Sequence, residues 1–217
     1  MSLAIFDLDN TLLNGDSDHA WGEFLCNKGI VNTAAYRQAN DYFFQQYQAG
    51  TLDIFEFLEF ALKPLSEQEP AALEQLHQEF MQTSVAPMML DKAATLLQKH
   101  RDQGDYLLII TATNRFVTGP IAAALGVDHT LATEAEMIDG RYTGKVAGVP
   151  CFQAGKVERL DAWLAETGHS MDDSYFYSDS INDKPLLERV THPVAVDPDE
   201  RLKQAAEAQG WPIISLR

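Results

Sequence analysis

Two aspartates stand one residue apart near the start of the chain, in the segment AIFDLDNT of residues 4–11. The apolar residues before Asp7 predict a short buried strand. At the carboxyl end of a strand, where α/β sheets bind ligands, Asp7 and Asp9 would offer a carboxylate and a nearby backbone carbonyl. Such oxygens suit Mg²⁺, which is commonly held by one or two carboxylates plus a substrate phosphate. An aspartate beside that ion can also attack phosphorus as a nucleophile. The alternative is a strand end closed by turn-forming Asp and Asn, and three later segments favour the chemistry.

The first of these segments is an apolar strand, Tyr106 to Ile110, that runs into small hydroxyl residues. A helix is predicted to begin near Arg115 to Thr118. The hydroxyl of Thr111, together with backbone N–H groups at a helix N-terminus, would form a site for an oxyanion. A simple helix cap over residues 111–114 is the alternative.

The second segment places Lys156 at the start of a predicted helix, whose apolar positions Val157, Leu160 and Leu164 follow helical spacing. A lysine is unusual there because a helix N-terminus favours negative charge. An incoming phosphate would reconcile the two, with Lys156 as its point-charge partner. A lysine that is merely solvated is the alternative.

The third segment is an apolar strand over residues 174–178 that leads into Asp179 and Asp183, two acids four residues apart in a turn. This arrangement would supply a further metal ligand and a second carboxylate that orients it. An Asx turn before a helix, with Pro185 near its first turn, explains the shape equally well. It does not explain why three strands end in complementary chemistry.

The order DxDxT, strand-end Thr, Lys and DxxxD resembles the haloacid dehalogenase (HAD) superfamily of hydrolases, in particular its phosphoserine-phosphatase-like branch, subfamily IB. The resemblance implies an α/β fold with a doubly wound, mainly parallel sheet, a Rossmannoid core, into which a helical cap is inserted. It assigns residues 1–13 and 85–217 to the catalytic core and residues 14–84 to the cap, between the first and second motifs.

The resemblance also implies a role for each motif residue. Asp7 would become a phospho-aspartate, and Asp9 would protonate the leaving oxygen and then deprotonate the hydrolytic water. The residues implied to contact phosphate or substrate are Thr111, Ala112, Lys156, Asn182 and Asp16. Mg²⁺ would be held by Asp7, the backbone carbonyl of Asp9, and Asp179. Asp183 would either bind the ion directly or orient the groups that bind it.

Composition agrees with a small soluble enzyme. The 217 residues, 46% of them hydrophobic, can bury a core for one domain with an insertion or for two small domains. Two cysteines imply no disulfide framework, and no apolar run approaches the length of a membrane span. The chain enters its first strand almost at once, without a signal peptide, so we expect a cytoplasmic protein. A net charge of −16 argues against nucleic acid as a partner.

Residues 14–84 differ in composition from the rest. They contain 11 of the 21 aromatic residues, and 11 acidic residues against 3 basic ones. Apolar residues recur there at helical intervals without strand alternation, which predicts a small helical bundle. Breaks are predicted at residues 50–53 and 63–70. Such a bundle would act as a lid that excludes water and selects the substrate.

The remaining sequence alternates strands and helices, which favours a mainly parallel sheet. A short strand is predicted near residues 129–132, followed by a β-hairpin over residues 137–149 with Asp139-Gly140 at its turn. A further strand at residues 193–196, a helix at 200–208 and an edge strand within 211–216 complete the chain.

The substrate is expected to be a small phosphomonoester. Phosphoserine phosphatases carry a glutamate after the first motif and a cap arginine; here Asp16 and Arg37 are the approximate counterparts. Asp16, Asp18, His19 and Glu23 form an acidic cluster that would suit an amine or imidazole. The cluster suits the nitrogens of histidinol phosphate, and the resemblance implies both that ester and phosphoserine as candidates. For His19, ordinary packing at a helix start is the alternative.

Three other readings remain open at this point. A phosphotransferase or phosphomutase would use the same aspartyl-phosphate step. A receiver-type phospho-acceptor domain would be shorter and would lack both the DxDxT pair and a helical insert. A catalytically inactive binding protein is disfavoured because every expected catalytic position is filled. The oligomeric state stays open.

Overall fold

A computed structural model describes residues 2–217. Its strands are β1 (Leu3–Phe6), β2 (Tyr106–Asn114), β3 (His129–Ile138), β4 (Arg141–Ala147), β5 (Tyr175–Ser178), β6 (His192–Val196) and β7 (Ile213–Ile214). Its α-helices are α1 (Ser17–Asn27), α2 (Thr33–Ala49), α3 (Ile54–Ser66), α4 (Pro70–Phe80), α5 (Asp91–Asp102), α6 (Arg115–Leu125), α7 (Ala154–Thr167), α8 (Lys184–Leu187) and α9 (Glu200–Gln209).

The strands form one sheet in the order β4-β3-β2-β1-β5-β6-β7, in which every pairing is parallel except that of β3 with β4. All four residues of β1 are buried because helices cover both faces of the sheet. Ala4 and Phe6 join the core beneath α5 and α6, whereas Leu3 and Ile5 join the core beneath α7 and α9. The predicted doubly wound, mainly parallel α/β fold is confirmed.

The predicted hairpin is present and turns where expected. Asp139 and Gly140 both have positive φ, 49° and 77°, as a two-residue type I′ turn requires. Strand β3 is longer than the predicted residues 129–132, because it runs past the parallel sheet to become the first arm of this hairpin.

Five α-helices, α1 to α5, lie between β1 and β2, and the first four of them fall within residues 14–84. The break after α2 falls at Gly50, and Asp53 caps α3 by accepting from the backbone N–H groups of Phe55 and Glu56. The second break is shorter than predicted, since α3 continues through Pro64 to Ser66. A proline this close to a helix end removes only one backbone hydrogen bond, and the buried residues Leu62 and Leu65 keep the last turn in place.

His77 of α4 gives the fold a pH dependence. Its ring is buried, and Nε2 donates to the backbone carbonyl of Val117 at 3.0 Å. Burial lowers the pKa of His77 below its ordinary 6.5. The unfolded chain therefore binds a proton at His77 more readily than the folded chain does. The stability contributed by neutral His77 is present above about pH 6.5 and is lost as the pH falls.

We expect His77→Gln to show a smaller fall in Tm than the natural chain between roughly pH 7 and pH 5. Thermal unfolding followed by circular dichroism tests this, and parallel curves for the two proteins would contradict it.

Candidate active site

The sheet brings the ends of three strands together. Parallel pairing places Phe6 of β1 opposite Ile109 of β2 and Tyr177 of β5, so the residues that follow meet at one edge. The structure places six of the predicted residues around this point: Asp7, Asp9, Thr111, Lys156, Asp179 and Asp183.

Lys156 links two of the carboxylates. Its Nζ lies 2.9 Å from Asp7 Oδ1 and 2.8 Å from Asp183 Oδ2, and all three side chains are almost fully buried. Burial alone would lower the pKa of Lys156, but the carboxylates of Asp183 and Asp7 outweigh it and raise that pKa. The lysine is therefore held as an ammonium ion. Its position at the start of α7 depends on Gly155, where an added Cβ would lie 2.1 Å from the carbonyl oxygen of Pro150.

Asp7 stands at the centre of the site. Burial raises its pKa to about 7, against the opposing effect of Lys156, and the negative charge of Asp183 adds to the rise. Its backbone N–H donates to the carbonyl of Tyr177 at 2.9 Å, which continues the ladder between β1 and β5. The carboxyl group is thus fixed at the edge of the sheet, next to the charges of Lys156, Asp183 and Asp9.

Asp9 is held by two donors from different parts of the chain. Thr113 Oγ1 donates to Oδ2 at 2.8 Å, and the backbone N–H of Ser17 donates to Oδ1 at 2.6 Å. Burial and the nearby charge of Asp16 raise its pKa to about 7. A carboxyl group with this pKa can exist in both protonation states near neutral pH, as a general acid and base must.

The two acids that follow β5 each have a hydroxyl partner. Thr11 Oγ1 donates to Asp179 Oδ1 at 3.1 Å, and Ser178 Oγ donates to Asp183 Oδ2 at 2.7 Å. Burial raises the pKa of Asp179 well above its ordinary value, and the charges of Asp7 and Asp183 raise it further. Three acids confined in this way lack positive charge beyond Lys156, and their oxygens are the ligands that Mg²⁺ prefers.

Two predicted substrate residues take part in structural contacts. Asn182 Nδ2 donates to the carbonyl of Tyr47 at 3.2 Å, and its Oδ1 accepts from Gln153 Nε2 at 3.2 Å. Asp16 lines the pocket and also caps α1, because its Oδ1 accepts from the backbone N–H of His19 at 2.8 Å. Their roles toward a phosphate or substrate stay predictions.

A pocket opens above Asp7 and Asp9, between the sheet edge and α1 to α3. Thr111 and Ala112 lie on its floor, and the phosphate contacts that the resemblance implies for them stay predictions. Its upper wall consists mainly of apolar and aromatic side chains: Phe43, Phe44, Tyr47, Leu52, Ile54, Phe57 and Phe152. The aromatic content of residues 14–84 predicted a helical core, but sequence periodicity did not reveal that several of these rings line the same pocket as Asp7 and Asp9.

The carboxyl end of α2 is attached to α9. Arg201 of α9 donates to the carbonyl oxygens of Ala49 and Gln48 at 2.9 and 3.0 Å. Gly50 makes room for this guanidinium, since an added Cβ would lie 2.7 Å from one of its nitrogens. Together with the bond from Asn182 to Tyr47, these contacts hold the helices over the sheet edge.

Three hydroxyl residues that hold the acids, Thr11, Thr113 and Ser178, were not assigned roles from sequence. Thr11 belongs to the DxDxT motif, and that motif was the only sequence feature that pointed to it.

Across residues 2–217, no helix has both the length and the apolar character needed to cross a bilayer.

Comparisons with known proteins place this geometry in a family. The haloacid dehalogenase-like hydrolase family matches residues 4–188. A histidinol-phosphatase of Neisseria meningitidis serogroup C is 44% identical over 220 residues, which cover 100% of this chain and 99% of that protein. The crystal structure of a protein of unknown function from Bordetella pertussis Tohama I has a TM-score of 0.94 at 44% identity, covering 100% of this chain and 99% of that one. A substrate-bound phosphoserine phosphatase shares the fold, with a TM-score of 0.73 at 17% identity over 100% of this chain and 93% of that one.

The chain belongs to the haloacid dehalogenase-like hydrolases. Its fold is the one seen in a phosphoserine phosphatase, in agreement with the resemblance of its motif order.

Proposed function

We propose that the protein is a Mg²⁺-dependent phosphomonoesterase that forms a covalent acyl phosphate on Asp7. The observation that carries the proposal is the convergence of the buried Asp7, Lys156 and Asp183 with the partly buried Asp179 beside a pocket. Phosphoryl transfer needs mainly positioning and neutralisation of charge, and this cluster offers both.

The site fits a divalent cation. Asp7, the backbone carbonyl of Asp9 and Asp179 would hold Mg²⁺, while Asp183 is turned toward Lys156 and Ser178. The ion would supply positive charge to the phosphoryl oxygens and to the clustered carboxylates.

The chain's own groups account for both half-reactions. A carboxylate oxygen of Asp7 forms a bond to phosphorus as the ester P–O bond breaks, and protonated Asp9 gives its proton to the leaving oxygen. Water then attacks the same phosphorus while Asp9 takes a proton from it, and the bond between phosphorus and the Asp7 oxygen breaks, which releases inorganic phosphate and regenerates the carboxylate of Asp7. Lys156 and the hydroxyl of Thr111 would bind phosphoryl oxygens throughout.

Residues 14–84 are proposed to form the cap over a core of residues 1–13 and 85–217. Their helices supply the aromatic wall, and Arg201 and Asn182 tie α2 to the core. The cap would exclude bulk water from the phosphoryl group.

Histidinol phosphate is the proposed substrate. The relative that shares 44% identity along nearly its whole length is named a histidinol-phosphatase. The acidic lining of the pocket at Asp16 and Asp18 suits the two nitrogenous groups of that ester.

Removal of the metal tests the mechanism. We expect chelation with EDTA to reduce phosphate release from histidinol phosphate by at least about 100-fold, since a bound cation contributes several kcal/mol to such reactions. Excess Mg²⁺ should restore the rate, while the circular dichroism spectrum stays unchanged. Full activity after chelation and dialysis would contradict the proposal.

A further inference from the structure

We propose that Thr113 is a positioning residue for the acid–base chemistry: its hydroxyl holds the Asp9 carboxyl group in the orientation that gives a proton to the leaving oxygen. Because it concerns one step of the reaction described above, this role rests on the proposed function. Thr113 lies in β2, beyond the threonine that the second motif predicted, and it would act on the substrate only through Asp9.

The contact between the two side chains is short and shielded from water. Thr113 Oγ1 donates to Asp9 Oδ2 at 2.8 Å, and only 6% of Thr113 is exposed. Asp9 Oδ1 accepts separately from the backbone N–H of Ser17 at 2.6 Å. The last torsion of an aspartate side chain is only weakly restricted by itself, so a donor on each oxygen is what fixes the plane of the carboxyl group. Thr113 also lines the same pocket as Asp7 and Asp9.

An irregularity in β2 brings the Thr113 side chain to this place. Ile110 pairs with Leu131 of β3, and Asn114 pairs with Thr133, so four steps along β2 match two along β3. Bulges of this kind re-aim side chains and are frequent beside active sites. The three residues between these pairs leave the ladder with β3 and line the pocket instead.

Threonine hydroxyls hold the backbone of this irregular segment. Thr133, which is fully buried, donates through Oγ1 to the carbonyl of Ala112 at 2.7 Å and accepts from the backbone N–H of Cys151 at 3.0 Å. Thr111 Oγ1 accepts from the backbone N–H of Thr113 at 3.2 Å. These contacts fix the backbone at Thr113, so the direction of its hydroxyl is set by the fold before any substrate binds.

Thr113 should matter in proportion to the need for a proton on the leaving oxygen. An alkoxide is a strongly basic leaving group, so cleavage of its P–O bond needs a general acid, which contributes about 10²- to 10⁴-fold. The p-nitrophenolate ion is stable without a proton. A misplaced Asp9 would therefore slow the cleavage of alkyl esters far more than that of this aryl ester, whereas general damage to the pocket would slow both.

The variant Thr113→Val tests this role, since it removes the hydroxyl and nearly keeps the shape of the side chain. Its substrates are p-nitrobenzyl phosphate, whose leaving group is an alkoxide, and p-nitrophenyl phosphate, an aryl ester of similar size. The rate constant compared is kcat/KM, which covers the steps up to cleavage of the ester. We expect a loss of roughly 10- to 100-fold on the benzyl ester and of less than about threefold on the phenyl ester. Thr113→Ser, which keeps the hydroxyl, should recover most of the loss.

Three further variants complete the experiment. Thr130→Val is the matched control, because Thr130 is a buried threonine of the neighbouring strand β3 that does not line the pocket, and it should leave both rates unchanged. In an Asp9→Asn background, Thr113→Val should cause no further loss on the benzyl ester, since the residue through which it acts is already removed. If circular dichroism shows that Thr113→Val does not fold, Thr113→Ala removes the same hydroxyl without placing a methyl group against Asp9, and the same pattern is expected.

The possible failures are distinguishable. Equal losses on the two esters, no loss on either, no recovery in Thr113→Ser, or a further loss in the Asp9→Asn background would each overturn the positioning role while the proposed function stands. Absence of Mg²⁺-dependent turnover of every ester by the unaltered protein would refute the proposed function, and the positioning role with it.

Discussion

Replacing Asp7 by Asn is expected to abolish turnover while the fold stays intact. The amide cannot form an acyl phosphate as the carboxylate does, and loss of a nucleophile in a concerted site costs at least about 10³-fold in kcat. Asn has nearly the same shape as Asp, and Lys156 keeps its second partner, Asp183, at 2.8 Å. Because burial already raises the pKa of Asp7 to about 7, exchanging it for a neutral group relieves a desolvation cost rather than creating one.

The measurements for this variant separate chemistry from folding. Phosphate release is followed with histidinol phosphate, and Tm by circular dichroism. The unaltered protein, quenched in acid during turnover, should contain a peptide around Asp7 that is heavier by one phosphoryl group, and the variant should not. Asp173→Asn, the same exchange at an exposed carboxylate beside His192, should retain full activity. Turnover by Asp7→Asn within a few-fold of normal would remove Asp7 as the nucleophile.

The fold and the placement of three of the four motifs could be predicted because those three lie at the ends of strands, whereas Lys156 stands at the start of α7. Parallel strands end at the same edge of a sheet, so Asp7, Thr111 and Asp179 had to approach one another once β1, β2 and β5 were neighbours. The turn at Asp139-Gly140 was equally predictable, since it depends on local backbone preferences alone.

The contacts that hold the acids could not be predicted in the same way. Thr113 lies 104 residues from Asp9 in sequence, and the position of its hydroxyl depends on the register of β2 against β1. The contact from Arg201 to α2 spans 152 residues and depends on how α2 packs against α9. Such pairings are decided by tertiary structure, which periodicity does not encode.

The contacts of Asn182 could not be predicted from the sequence either. A motif position suggested a phosphate contact, and the structure places both ends of its amide on Tyr47 and Gln153. A short polar side chain next to a catalytic acid can serve either the substrate or the cap. The sequence alone does not distinguish a contact with the substrate from a contact with α2.

Lys156→Met is expected to remove activity and to destabilise the protein strongly. The substitution leaves Asp7 and Asp183 buried beside one another without a counter-ion. Breaking a buried ion pair from one side costs about 3–5 kcal/mol of unfolding free energy. Phosphate binding would lose its buried ammonium group as well, so kcat/KM should fall by at least about 100-fold even where the variant is folded.

The pH dependence of that destabilisation has a definite sign. Without Lys156 the pKa of Asp7 rises further, because the ammonium lowers it in the natural protein. The unfolded chain has the ordinary value of 3.8, so the folded variant binds more protons and loses stability as the pH rises above that value. Urea unfolding at acidic and at alkaline pH should therefore show the larger deficit at alkaline pH.

A second substitution separates the two effects of Lys156. In Lys156→Met with Asp183→Asn, one of the two uncompensated charges is removed, so much of the lost unfolding free energy should return while activity does not. A cycle of the two single variants and the double variant gives the coupling between these side chains, expected to be about 2 kcal/mol or more for a buried charge pair. Additive losses in the cycle would show that Lys156 and Asp183 act independently, contrary to their 2.8 Å contact. Recovery of activity in the double variant would show that the ammonium group is needed only to hold the acids in place.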